Sequence, residues 1–132
     1  MSDAYDRSLV KMAKDVAAEL GQAERTHQGT YAMMFGPTYE TISEMKMLQR
    51  WGADAVGMST APEVVTARHC GIKCLGISVI TNVCVPDYEC EKVVSHAEVI
   101  EIAKNRAKDM ETFVCALVER LHQANEGQLP KG

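Results

Sequence analysis

No apolar run in this chain approaches the ~18 residues needed to cross a bilayer, which excludes a transmembrane helix. The opening stretch, MSDAYDRSLVKMAKDVAAEL, is charged throughout and holds no apolar core segment, so it is not expected to be a secretory signal. Positive charge is in deficit. Fourteen Lys and Arg against 18 Asp and Glu leave a formal net charge of -4, which argues against a basic nucleic-acid footprint. Glycines near positions 36, 52, 57, 71 and 76 are too scattered for a dinucleotide fingerprint or a phosphate loop. No serine, histidine and aspartate fall in a pattern with credible triad roles. Nothing marks a linker or a second domain, and the recurrence of helix, glycine and strand is ordinary α/β punctuation.

Five cysteines, at 70, 74, 84, 90 and 115, are an odd number set among apolar runs and helical patterns. That arrangement does not resemble a stapled secreted scaffold. Reduced thiols inside the cytoplasm are expected, mostly buried as small hydrophobes. His69, Cys70 and Cys74 lie close together, but Gly71 intervenes and no second ligand pair follows at metal spacing. No metal site is expected.

What the chain does contain is enough apolar material for a core. Hydrophobic residues make up 46% of the 132 residues and 14.5 kDa. Surface scaling for this mass gives roughly 6,900 Å² exposed when folded, against roughly 21,000 Å² unfolded. A first helix is expected from about Asp3 to Leu20, with Leu9, Met12, Ala13, Val16 and Leu20 on one face and Gly21 as its stop. Buried strands are expected at Thr30–Phe35, Ala53–Met58 and Ile72–Ile80. Thr41-x-x-Glu44, Thr60-x-x-Glu63 and Ser95-x-x-Glu98 each have the spacing of a capping box. The last helix is the longest, with a face through Val99, Ile102, Ala103, Met110, Phe113, Val114, Leu117 and Leu121. A flexible tail is expected over 125–132. Short apolar strands separated by helices describe an α/β fold, with parallel or mixed pairing and both sheet faces covered.

In such a sheet, ligands meet the carboxyl ends of the strands. Three polar clusters fall there: Gly36 to Glu40, Gly57 to Thr60, and Thr81-Asn82. Each residue has two readings. Glu40 is either a charge at a helix start or an acceptor for the N–H groups of a heterocycle. Asn82 is either a turn residue or an amide that donates and accepts at once. Ser59 and Thr60 are both good N-caps, and Ser59 is the freer to meet an anion or a sugar hydroxyl. Tyr39 and Met58 fit a base and a sugar, or the core. His96 is either an exposed first-turn residue or a neutral hydrogen-bonding group, since the helix dipole disfavours its charged form.

Three segments carry a family resemblance: GTYAMMFGPTYET, GADAVGMSTAPEVVTARHCGIKCLGISVITN and the opening MSDAYDRSL. Together they resemble the C-terminal part of the trimeric, 6-oxopurine-specific purine nucleoside phosphorylases, from residue 1 to at least the helix at Ser95. The related methylthioadenosine phosphorylases share the general block but usually place aspartate where this chain has Asn82. The resemblance implies a portion of a phosphorylase-type mixed β-sheet flanked by helices, without the family's N-terminal half, with 1–132 as one part of a single domain.

The resemblance also implies a chemistry. The chain would belong to a pentosyltransferase that splits inosine, guanosine and their 2'-deoxy forms with phosphate, giving free base and (deoxy)ribose 1-phosphate. Inorganic phosphate is a co-substrate and no cofactor is needed. Glu40 resembles the carboxylate on the purine N1–H, and Asn82 the amide on N7 and O6. Tyr39 and Thr81 match purine-pocket positions, Met58 the side chain under the ribose, Ser59 a phosphate contact and His96 the histidine near the 5'-hydroxyl. Glu40, Asn82 and His96 would be the catalytic set. The full-length enzyme would be a homotrimer working in purine salvage, with neither nucleic acid nor membrane as a partner. The family's phosphate-loop serine, phosphate-binding arginine and histidine, and an aromatic residue that reaches a neighbouring subunit have no counterpart here. Val83 and Cys84 stand where relatives often have lysine and valine. A non-catalytic purine-binding or assembly fragment is the alternative reading, and nucleoside hydrolysis, which would release ribose, is a third.

Overall fold

A computed structural model describes residues 1–84, 88–89 and 95–126. The elements are α1 (Arg7–Glu19), a 3-10 turn at Ala23–Arg25, β1 (Tyr31–Met33), α2 (Ile42–Arg50), β2 (Ala55–Gly57), α3 (Ala61–His69) and α4 (His96–Glu126). β1 and β2 form a parallel pair in the register Tyr31–Ala55, Ala32–Val56 and Met33–Gly57. Both strands are shorter than the apolar runs that contain them, and both are half-buried instead of covered on both faces. Phe35, expected inside the first strand, is 89% exposed.

Helix ends follow the residues placed there. Asp6 caps α1, accepting from the backbone N–H groups of Ser8 and Leu9 and from the Ser8 hydroxyl. Gly21 ends the helix at φ +68 with the paired bonds of a Schellman turn, Gly21 N–H to the Ala18 carbonyl and Gln22 N–H to the Ala17 carbonyl. Gly52 and Gly71 close α2 and α3 with the same bond pair. Thr41 and Glu44 form the expected capping box, and the Ser95 hydroxyl accepts from the Glu98 N–H at the start of α4. The Thr60–Glu63 box does not form. Thr60 takes φ +76, outside the extended geometry that aims a capping hydroxyl down the helix, and it makes no side-chain cap.

The core lies between α1 and α4, where Ala13, Val16, Ala17, Phe113 and Leu117 are buried. Met12, Leu20, Leu75, Met110, Ala116 and Leu121 pack around them. Arg120 of α4 grips Glu19 of α1 through its two terminal guanidinium nitrogens, and Arg25 of the 3-10 turn meets Asp109 of α4 at 3.1 Å. The rest of the long α4 face is less covered than its periodicity implies. Ile102 and Val114 keep 38% and 39% of their surface exposed.

The expected third strand is absent. Ile72–Ile80 carries the apolar pattern of a strand, yet among the described residues it has no ladder partner. It is anchored by the Asp6 N–H on the Cys74 carbonyl, 2.9 Å, and by Leu75 in the core. A strand is defined by the chain beside it, and among the described residues no neighbouring strand supplies a ladder of hydrogen bonds. The accessible surface is accordingly 10125 Å², well above the compact value of roughly 6,900 Å². The thiols are less buried than expected: Cys74 is buried, Cys84 intermediate, and Cys70 and Cys115 exposed, while Cys90 lies outside the described residues. α4 extends through Glu126, past the expected start of the tail, and 127–132 lie outside the described residues. Among the described residues no helix is long and apolar enough to cross a membrane.

With so small a core, Phe113→Ala should cost about 3–5 kcal/mol in urea denaturation, whereas Val118→Ala on the exposed side should cost under about 0.5 kcal/mol. Asp6 gives a pH test. The Ser8 hydroxyl first, then the Leu9 and Ser8 N–H groups and Lys73, lower its pKa from 3.8 to about 2. Its folded pKa lies below its unfolded one, so the cap stabilises above about pH 4 and that contribution fades as pH falls toward about 2. Comparing urea midpoints at about pH 5 and about pH 3 should show a smaller acid loss in Asp6→Asn, because Asn caps without titrating.

Candidate functional site

β1 and β2 run parallel, so the loops that follow them emerge on the same side, and the 79–84 segment and the start of α4 complete a cavity of about 760 Å³. Tyr39 and Glu40 enter from the first loop and Met58 from the second. Thr81 and Asn82 come from the third segment and His96 from the first residue of α4. Met45, Leu48 and Val56 supply an apolar wall. Six of the seven residues singled out from sequence thus line one space. Ser59 does not. Its hydroxyl pairs with the Thr60 hydroxyl at 3.2 Å, and its N–H donates to the Tyr31 hydroxyl at 3.2 Å.

The geometry bears on the paired readings. Capping of α2 is done by Thr41 and Glu44, with Thr41 N–H donating to the Glu44 carboxylate at 2.7 Å and Glu44 N–H to the Thr41 hydroxyl at 3.3 Å. Glu40, one residue earlier and half-buried, is not spent on the cap. No hydrogen bond engages its carboxylate among the described residues. Tyr39 and Met58 remain 49% and 61% exposed, so neither is a core residue. The Thr81 hydroxyl donates to the Asn82 side-chain oxygen at 3.1 Å, which leaves both amide N–H groups of Asn82 to donate elsewhere. His96 is exposed at the rim.

Asp54 and Cys84 also line the cavity, and sequence reasoning gave neither a role. Asp54 accepts the Thr30 N–H at 2.7 Å and so extends the strand pairing ahead of its first ladder pair. Cys84 directly follows Thr81-Asn82-Val83, and that adjacency was the available signal. Burial first, and then the charge of Glu40, push its thiol above the ordinary range. Among the described residues no cluster of three or more metal-ligating side chains forms. The site is therefore half-apolar, with one unengaged carboxylate, an amide donor oriented by a hydroxyl, an aromatic ring and an imidazole. That set suits a flat polar heterocycle carrying a sugar.

Residues 1–119 match the Phosphorylase superfamily, and the chain belongs to that family. It is 46% identical over 118 residues to the purine nucleoside phosphorylase of Bos taurus, covering 89% of this chain and 41% of that protein. To the Mus musculus enzyme of the same name it is 44% identical over 127 residues, covering 96% and 44%. Among solved structures, Schistosoma mansoni purine nucleoside phosphorylase in complex with adenosine is similar at a TM-score of 0.88 and 47% identity, over 91% of this chain and 43% of that one. The guanosine complex of the Schistosoma enzyme gives 0.88 and 47%, over 91% and 44%. The chain spans less than half the length of these relatives.

The raised pKa of Cys84 predicts slow alkylation. At about pH 8, iodoacetamide should label Cys70 and Cys115 before Cys84, followed by peptide mass spectrometry. Glu40→Gln removes the nearby negative charge, so it should speed labelling of Cys84 and leave Cys115 unchanged.

Proposed function

We propose that the chain forms the purine-and-ribose side of a purine nucleoside phosphorylase, acting on inosine, guanosine and their 2'-deoxy forms. The observation that carries this reading is the convergence of Glu40, Asn82, Thr81, Tyr39, Met58 and His96, from four separate segments, on one cavity. In this reading Glu40 accepts the purine N1–H and, in guanine, the 2-amino group. Asn82 donates to O6 and N7, Tyr39 packs against the base, Met58 underlies the ribose and His96 bonds the 5'-hydroxyl.

The chemistry follows from where charge develops. As the glycosidic bond breaks, positive charge grows on the ribose ring and negative charge on the purine. A donor held at N7 and O6 is worth most at that moment, so it favours the transition state over the bound nucleoside. Phosphate attacks C1' and the base departs, with no covalent intermediate on the protein and no cofactor. The cavity lining has no lysine or arginine among the described residues. A dianionic nucleophile needs such a partner. In this reading the main phosphate grip comes from residues other than the described lining, with Ser59 as a secondary contact. A homotrimer, a cytoplasmic setting and a role in purine salvage accompany this reading of the longer subunit. A purine-binding fragment without phosphorolysis is the second reading, and the same missing cations favour it.

Calorimetric titration with hypoxanthine should show binding. Glu40→Ala should weaken it about tenfold or more, as expected for loss of a hydrogen bond to a charged group. Incubation with inosine and phosphate separates the two readings by release of hypoxanthine and ribose 1-phosphate. Neither binding nor release would overturn both.

A further inference from the structure

We propose that Tyr31 is a positioning residue for the ligand's sugar side: it fixes the Gly57–Thr60 turn that presents Met58 to the cavity and Ser59 beside it. The inference rests on the purine nucleoside reading of the cavity and adds a residue outside its lining. Tyr31 begins β1 and is paired with Ala55, yet its hydroxyl reaches past the end of β2 to accept the Ser59 N–H at 3.2 Å. The ring passes directly over Gly57. A Cβ there would lie 2.4 Å from the hydroxyl oxygen and 3.2 Å from the ring carbon that bears it, so glycine at 57 and tyrosine at 31 are a matched pair.

The turn needs outside support. Thr60 sits at φ +76, an unfavourable backbone conformation for a β-branched residue. Ser59 and Thr60 spend their hydroxyls on each other and do not cap α3. Among the described residues, the Tyr31 hydroxyl is the one hydrogen-bond partner from β1 for residues 58–60. On the other side Met58 lies against Gly36, where a Cβ would meet its sulfur at 2.2 Å. The turn is therefore held between Tyr31 and the loop that carries Tyr39 and Glu40. Glu40 and Asn82 stand on other segments, so loosening this turn should alter sugar and phosphate recognition while base recognition stays intact.

Tyr31→Phe keeps the ring over Gly57 and removes only the hydroxyl. Amide hydrogen exchange on the 132-residue chain should then quicken about three- to tenfold at Ser59, the scale of one net hydrogen bond, with Val16 in the core unchanged. Affinity for ribose 1-phosphate should fall by a similar factor while hypoxanthine affinity stays within about twofold. Unchanged exchange at Ser59 overturns the proposal. So does an equal loss of both ligands accompanied by faster exchange at Val16, which would mark a merely structural role. If the unsubstituted chain binds neither ligand, the purine reading falls and the sugar role falls with it. Ser59 exchange then still decides whether Tyr31 holds the turn.

Discussion

Parallel pairing of Tyr31–Met33 with Ala55–Gly57 is the contact on which the cavity depends. Two strands in parallel discharge their following loops on one side, and here those loops carry Tyr39, Glu40 and Met58. Three residue pairs make a short ladder, and side chains extend it at both ends. Asp54 accepts the Thr30 N–H before the first pair, and Tyr31 accepts the Ser59 N–H beyond the last. α2 makes the crossover between the strands, started by the Thr41–Glu44 box and stopped by Gly52. The cavity is thus aligned by backbone geometry before any of its side chains is chosen.

The main hydrophobic cluster lies elsewhere, between α1 and α4, and it is small. That separation has a consequence. The site end of the chain is joined to its core through α4, which starts at the cavity, and through Leu75, whose segment has no ladder partner among the described residues. Ile77, Val79 and Ile80 remain 41%, 39% and 62% exposed although their sequence is suited to a sheet interior. The relatives are more than twice as long.

The shape of the cavity also explains which chemistry is represented. An unengaged carboxylate, an amide with two unspent N–H groups and a ring at the rim give the cavity one hydrogen-bond acceptor, donors and a flat apolar face. A cation for phosphate is missing among the described lining residues.

Local features were legible in the sequence because they are decided within a few residues. The Thr41–Glu44 box, the Gly21 stop, the α1 face through Ala13 and Val16, and the Phe113–Leu117 stripe all follow from spacing. Tyr39, Glu40 and Met58 were legible because they follow strands, whereas Thr81, Asn82 and His96 rested on the family resemblance, which also named Ser59, a residue outside the cavity. Tertiary structure decided what spacing cannot contain. Whether Ile72–Ile80 is a strand depends on a partner chain segment. Whether Thr60 caps α3 depends on a turn held by Tyr31 and packed beside Gly36. How protonated Cys84 stays depends on burial and on a carboxylate more than forty residues away in the chain. Each of these is fixed by contact between segments remote in sequence, and such contacts exist only once the chain has folded.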